Sequence, residues 1–186
     1  MNIIVCPLSQ VARMVAAHSP ERVVSLLDPG FAFPNLGPGY RERHLRLSLH
    51  DVHDDVVGEV VPSATHIEQL VSFLRLWQRS APILIHCRAG FGRSTAAAFI
   101  AACLYQPDRD ERELALSLRR ASPLARPNEV LVRLADAAMN RNGRMARAIE
   151  ETGRGLVWHQ VDENMPFELA CAAGSSAGIA GTISPL

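Results

Sequence analysis

The stretch His86-Cys87-Arg88-Ala89-Gly90-Phe91-Gly92-Arg93-Ser94-Thr95 lies between two apolar runs, Ile83-Leu84-Ile85 before it and Ala96-Ala97-Ala98-Phe99-Ile100-Ala101-Ala102 after it. That order predicts a short buried strand, a tight turn containing two glycines, and a helix. A loop that enters a helix N-terminus turns free backbone N–H groups inward and so forms an anion site. Cys87 opens this loop and Arg93 closes it.

The residue types suit one chemistry. A free thiol has a pKa of about 8.5, and helix N-termini and neighbouring cations bring such thiols to roughly 3.5–7.5. Lowering the pKa by one is worth about 1.4 kcal/mol of preference for the thiolate. Arg93 offers a planar fork for two oxygens of a phosphate above the sulfur. Gly90 and Gly92 let the backbone close round the anion with no Cβ in the way. Ser94 can donate a hydroxyl hydrogen bond to the sulfur and help it depart in a later step. A nucleophile, an oxyanion cradle (a P-loop) and a charge clamp thus fall within one turn.

His86-Cys87, five residues, then Arg93-Ser94 resembles the signature of the cysteine-dependent protein-tyrosine phosphatase superfamily, and Ala89-Gly90-Phe91-Gly92-Arg93 is similar to the loop of its compact dual-specificity members. The resemblance runs from the first strand to about Asn140. It implies a phosphomonoester hydrolase working through a cysteinyl-phosphate intermediate, most simply a protein tyrosine or dual-specificity phosphatase. Cys87, Arg93 and Ser94 are then catalytic, and Arg88, Ala89, Gly90, Phe91, Gly92 and Arg93 bind the substrate. The partner is a phosphoprotein or a small phosphomonoester, and neither a cofactor nor a metal is expected. In the superfamily the leaving oxygen is protonated by an aspartate on a loop after an earlier strand. Asp51, Asp54 and Asp55 all fall there; Asp51 is preferred, because only His50 separates it from the strand ending at Leu49. Arg126-Pro127-Asn128 resembles the stretch that closes against the signature loop, where Arg126 would form an ion pair, alongside its reading as a turn and a helix cap.

Some roles stay open on the residues alone. Arg88 either widens the positive field over the pocket or is solvated, and Phe91 either packs or flanks the substrate. His86 alternates with Cys87 on a strand, so its side chain is expected on the opposite face, bonding the loop backbone rather than serving as a base. His44, His50, His53 and His66 do not recur with carboxylates in a ligand pattern.

Composition narrows the classes. The chain has 186 residues, 48% hydrophobic, enough for one cored domain over 1–172, with a small glycine- and serine-rich tail at 173–186 read as disordered. Formal net charge is +0, so electrostatic attachment to nucleic acid or membrane is not expected. All 19 basic residues are arginine, which excludes Schiff-base chemistry, a Walker nucleotide site, and the lysine-rich pocket of many lipid phosphatases. Cys6, Cys87, Cys103 and Cys171 lie far apart with no C-x-x-C, so neither a disulfide framework nor a zinc site is indicated, and a reducing cytoplasm is implied. Met1–Val5 lacks a basic leader and reads as a strand. A rhodanese-like sulfurtransferase also uses a cysteine in an anion-binding loop, but that loop is commonly shorter. A non-catalytic phosphate-binding (pseudophosphatase) module would usually lack Cys87 or Arg93.

In chain order, strands are expected at Ile3–Cys6, Arg22–Leu27, His44–Leu49 and Pro82–His86, with Gly155–Val161 as a candidate edge strand. Helices carry Val11, Met14 and Val15; Ile67, Leu70, Val71, Leu74 and Trp77 behind a Ser63 cap; the signature helix ending near Pro107; a helix through Leu118 behind an Asp108–Glu111 capping box; Val130, Leu131, Leu134 and Ala138 behind Asn128; and Met145–Glu151 after a break at Asn142-Gly143. The long loop Asp28–Tyr40 either rims the site or simply connects. Strands separated by helices argue for an α/β fold: a mainly parallel central sheet flanked by helices on both faces, a phosphatase-like three-layer sandwich. Ligands then bind at the carboxyl ends of the strands, where Cys87 falls.

Overall fold

Strand β4 (Ile83–Cys87) is buried along its whole length at the centre of a five-stranded sheet. Apolar side chains on both of its faces are what a parallel strand covered on both sides requires. The computed structural model describes residues 2–52, 57–153, 155 and 161–171. On either side of β4 lie β1 (Asn2–Pro7) and β2 (Arg22–Leu27), both parallel to it. Beyond β2 lies β3 (His44–Ser48), also parallel, and beyond β1 lies β5 (Phe167–Ala170), antiparallel. The order is β3-β2-β4-β1-β5. The expected mainly parallel α/β sheet is thus observed.

One face carries α1 (Val11–His18), whose Val11 and Met14 pack on Ile4, Cys6, Val23 and Leu84. The opposite face carries α2 (Ala64–Arg75), α3 (Arg93–Tyr105), α4 (Glu111–Ala121), α5 (Glu129–Ala138) and α6 (Arg144–Thr152), over a core that includes Ile3, Val5, Val24, Leu26, Ile83 and Ile85. Every residue of α3 from Arg93 to Cys103 is buried, as expected of a helix apolar on all sides. Its run of alanines lets the helix lie close to the sheet while Phe99, fully buried, fills the remaining space. Burial of such a side chain contributes about 1.5–3 kcal/mol.

Helix ends follow local chemistry, with one correction. Ser63 and His66 form the capping box of α2. The cap of α4 is Asp110, not Asp108: its carboxylate accepts from the backbone N–H groups of Arg112 and Glu113 at 2.9 and 3.2 Å. Glu111 turns inward instead, because Arg141 and Arg144 each reach it at 3.2 Å. Asn128 caps α5 through Leu131 N–H at 3.0 Å. Asn142 and Gly143, both at positive φ, make the break before α6. The edge strand of the C-terminal part is Phe167–Ala170; residues 156–160 of the expected Gly155–Val161 strand, and the tail 173–186, lie outside the described residues. No helix among the described residues is long and apolar enough to cross a membrane.

Register places the site. Pro7 and Leu26 both sit level with Cys87, and Leu27 is level with Ser48. Four parallel strands therefore end together, and the residues that follow them (Leu8, Asp28, Leu49 to Asp51, and the signature loop) emerge on one edge.

Candidate active site

Cys87 ends β4 with its side chain on the α3 face, 2% exposed. Its Sγ has two hydrogen-bond partners, Ser94 Oγ at 3.1 Å and the backbone N–H of Gly90 at 3.2 Å. Both come from the loop that the sulfur itself begins, so the loop curls round it. The outer side of the loop is held by the scaffold. Leu8 N–H donates to Arg88 O at 3.0 Å, Arg126 N–H to Phe91 O at 2.9 Å, and Asn128 N–H to Gly92 O at 3.3 Å. Arg126 thus acts through its backbone; its side chain is exposed and makes no ion pair among the described residues, contrary to the ion pair expected from sequence.

Arg93 begins α3 and is 4% exposed. Its Nη1 donates to Asp28 Oδ1 at 2.9 Å and to Leu49 O at 2.6 Å, and Nη2 donates to Asp28 Oδ2 at 3.3 Å. Its buried Nε has no hydrogen-bond partner. Leaving such a donor unpaired costs about 1–3 kcal/mol, more for a charged group, so this atom is poised for an acceptor from outside. Asp51 Oδ2 lies 3.9 Å from it, beyond hydrogen-bond reach. Asp51 itself is oriented by Asn128, whose Nδ2 donates to Asp51 Oδ1 at 2.8 Å and to Val52 O at 3.0 Å. A Cβ at Gly92 would collide with the Asp51 carboxylate, so glycine at that position is what lets Asp51 approach the loop. Asp54 and Asp55, the other two candidate acids, lie outside the described residues, as does His53.

These groups line a cavity of about 300 Å³ with Cys87 at its base and Asp28, Asp51, Arg88, Phe91 and Arg93 around it. Ala89, Gly92, His50, Val52 and Glu59 complete the lining. The Arg88 side chain is exposed, with its guanidinium 4.9 Å above the Phe31 ring. This stacking ties the loop to the Asp28–Tyr40 segment, whose first residue, Asp28, lines the cavity.

Asp28 is a site group that nothing in the local sequence marks. Its only signal was position: it immediately follows β2 and so shares the edge with Cys87. Replacing Asp28 with alanine is expected to free the Arg93 fork to swing, raising KM and the vanadate inhibition constant by about tenfold with a smaller fall in kcat. Steady-state kinetics of the variant checks this.

Behind the loop a chain of hydrogen bonds reaches the Cys87 carbonyl. Arg46 Nε lies 3.3 Å from His44 Nδ1, His44 Nε2 lies 2.7 Å from Ser25 Oγ, Ser25 Oγ lies 2.5 Å from His86 Nε2, and His86 Nδ1 lies 3.4 Å from Cys87 O. One assignment satisfies every link: each group donates to the next, from Arg46 to the Cys87 carbonyl, with both imidazoles neutral. Burial favours that form, lowering His44 and His86 to about 4. His86 therefore orients backbone and does not touch the sulfur.

The remaining cysteines are inert by environment. Burial pushes the Cys6 thiol up to about 12, and also raises Cys103 and Cys171.

Residues 56–126 match the family model described as protein-tyrosine phosphatase. No curated protein sequence matches. Among solved structures, the crystal structure of DUSP15 aligns at TM-score 0.56 with 16% identity, covering 79% of this chain and 89% of that one. The human tyrosine phosphatase-like serine/threonine/tyrosine-interacting protein aligns at TM-score 0.56 and 16% identity, covering 73% and 89%. The Yvh1 phosphatase domain from Chaetomium thermophilum aligns at TM-score 0.52 and 20% identity, covering 74% and 89%. The resemblance to the cysteine-dependent protein-tyrosine phosphatase superfamily is borne out by the family match, and the fold is that of its dual-specificity members.

Proposed function

We propose that this phosphatase-like chain hydrolyses phosphomonoesters through a cysteinyl-phosphate intermediate, as a protein tyrosine or dual-specificity phosphatase. The observation that carries this reading is the buried, unpartnered Nε of Arg93 beside a cavity with the Cys87 sulfur at its base. A tetrahedral phosphate above the sulfur supplies the acceptor which that donor lacks.

In the first step the Cys87 thiolate attacks phosphorus, the ester P–O bond breaks, and Asp51 gives its proton to the departing oxygen. Loop N–H groups and Arg93 hold the three equatorial oxygens. In the second step Asp51, now a carboxylate, takes a proton from water as the water attacks phosphorus. The S–P bond breaks and phosphate leaves. The sulfur then carries negative charge again, within reach of the Ser94 hydroxyl and the Gly90 N–H. The protein-substrate reading is supported by the fold of the dual-specificity neighbours and by the absence of any lysine around a polyanion pocket.

The test is hydrolysis of p-nitrophenyl phosphate in a chelator, with and without vanadate. Vanadate-sensitive turnover is the expected result. No turnover, combined with retained vanadate binding, would move the reading to a non-catalytic phosphate-binding module.

A further inference from the structure

The carbonyls of the signature loop from Arg88 to Gly92 all face away from the cavity, and each has a donor. Arg88 O, Phe91 O and Gly92 O are held by the backbone N–H groups of Leu8, Arg126 and Asn128. The two between them are both held by one residue, Asn164, which lies outside the family match. Its backbone N–H donates to Ala89 O at 2.8 Å, and its side-chain Nδ2 donates to Gly90 O at 3.0 Å.

A trans peptide unit is planar, with its C=O and the following N–H pointing opposite ways. Fixing a carbonyl outward therefore fixes the next N–H inward. Holding Ala89 O aims the N–H of Gly90, which reaches Cys87 Sγ at 3.2 Å. Holding Gly90 O aims the N–H of Phe91 toward the same concave side. A carbonyl can only accept, so the amide group facing Gly90 O must be the NH2 of Asn164. The same nitrogen also donates to Ser122 Oγ at 3.0 Å, and Asn164 is 5% exposed.

Gly90 makes this support necessary. It sits at φ +81°, and a Cβ there would come within 3.2 Å of both Asn164 Cβ and Pro7 N. Glycine is the one residue that fits, and also the one whose flanking peptides can reverse at least cost. A partner that locks the carbonyls removes that freedom. The segment carrying Asn164 is itself anchored, by Ser9 donating to Glu163 Oε2 at 2.5 Å and by β5 pairing with β1.

We propose that Asn164 is a positioning residue of the phosphate-binding loop: by gripping the Ala89 and Gly90 carbonyls it aims the Gly90 and Phe91 N–H groups at the sulfur and at the phosphoryl oxygens. The proposal rests on the phosphatase reading of the loop and deepens it, since it makes the sheet-edge segment after the matched region part of the anion site.

The test compares Asn164→Ala and Asn164→Asp with Glu163→Ala, which removes the neighbouring Ser9 contact while β5 still holds the segment on β1 and touches neither carbonyl. Asn164→Asp keeps the volume and replaces the donor with acceptors, so it tests the idea even if the alanine variant is poorly folded. Both Asn164 variants keep the backbone bond to Ala89 O and lose the side-chain grip on Gly90 O, which releases the Phe91 N–H from the concave side; both are expected to raise the vanadate inhibition constant about tenfold, and to slow iodoacetamide alkylation of Cys87 at about pH 6 severalfold. Glu163→Ala is expected to leave both near wild type, whatever it does to the melting temperature. Wild-type alkylation rates in both Asn164 variants, or an equal slowing by Glu163→Ala, would overturn the proposal. A wild-type chain that neither hydrolyses p-nitrophenyl phosphate nor binds vanadate would remove the phosphatase reading instead. The alkylation comparison still decides the role of Asn164 in that case, because it reads the sulfur alone.

Discussion

A Cys87→Ser variant is expected to lose turnover of p-nitrophenyl phosphate by at least about ten-thousandfold, the scale seen when a covalent nucleophile is removed. Serine fills the same volume, and its hydroxyl can still accept from Gly90 N–H and bond Ser94. The Arg93 Nε and the inward amides are untouched, so the loop keeps its shape and its anion site. What disappears is the sulfur nucleophile: a serine hydroxyl is a far weaker one, and no base stands ready in the loop to activate it. Vanadate or a phosphopeptide should therefore still bind while kcat falls, a split that separates chemistry from binding. Equal activity in the two proteins would reject the covalent route. Activity in neither would favour a binding module or a sulfurtransferase, and thiosulfate as sulfur donor would distinguish those two.

The second large effect is expected from Asp51→Asn. Asparagine preserves the hydrogen-bonding geometry with Asn128 but has no proton to give and no basic oxygen for water. A positioned acid contributes about 10²–10⁴-fold, and the loss should grow with the difficulty of the leaving group. An alkyl phosphate or phosphoserine peptide should suffer most, and p-nitrophenyl phosphate, whose phenoxide leaves readily, least. Full turnover in Asp51→Asn alongside loss in Asp54→Asn or Asp55→Asn would transfer the role to the loop beyond.

The parts of this molecule readable from its sequence are those in which cause and effect are close along the chain. Strand, loop and signature helix occupy one continuous stretch, so Cys87, Gly90, Gly92, Arg93 and Ser94 could be placed by spacing alone. Asp51 could be ranked because only one residue separates it from a strand end. Asp28 and Asn164 could not, since they meet the loop only through sheet register: Asp28 because β2 lies beside β4, Asn164 because β5 folds back along β1. Four residues, Phe167-Glu168-Leu169-Ala170, carry too little alternation to announce an edge strand. At α4 the capping pattern was present but displaced by two residues, because the Arg141 and Arg144 guanidinium groups draw Glu111 into the interior, a pull from residues some thirty positions away.

The buried Arg46–His44–Ser25–His86–Cys87 relay has a consequence for how acid treatment of this protein must be interpreted. His44 and His86 hold their protons weakly when folded, titrating at about 4, whereas an unfolded histidine titrates near 6.5. Above that higher value both rings are neutral in either state and the full stabilisation is present. As pH falls from about 6.5 toward 4, the unfolded chain takes up protons that the folded chain refuses. Stability then drains at up to about 1.4 kcal/mol per ring for each pH step of one. The relay ends on the carbonyl of Cys87, so the stability that acid removes is held in part directly behind the signature loop. A falling rate below pH 6 therefore has two sources, protonation of reacting groups and softening of the platform beneath them, and unfolding curves recorded at the same pH values are what separate the two.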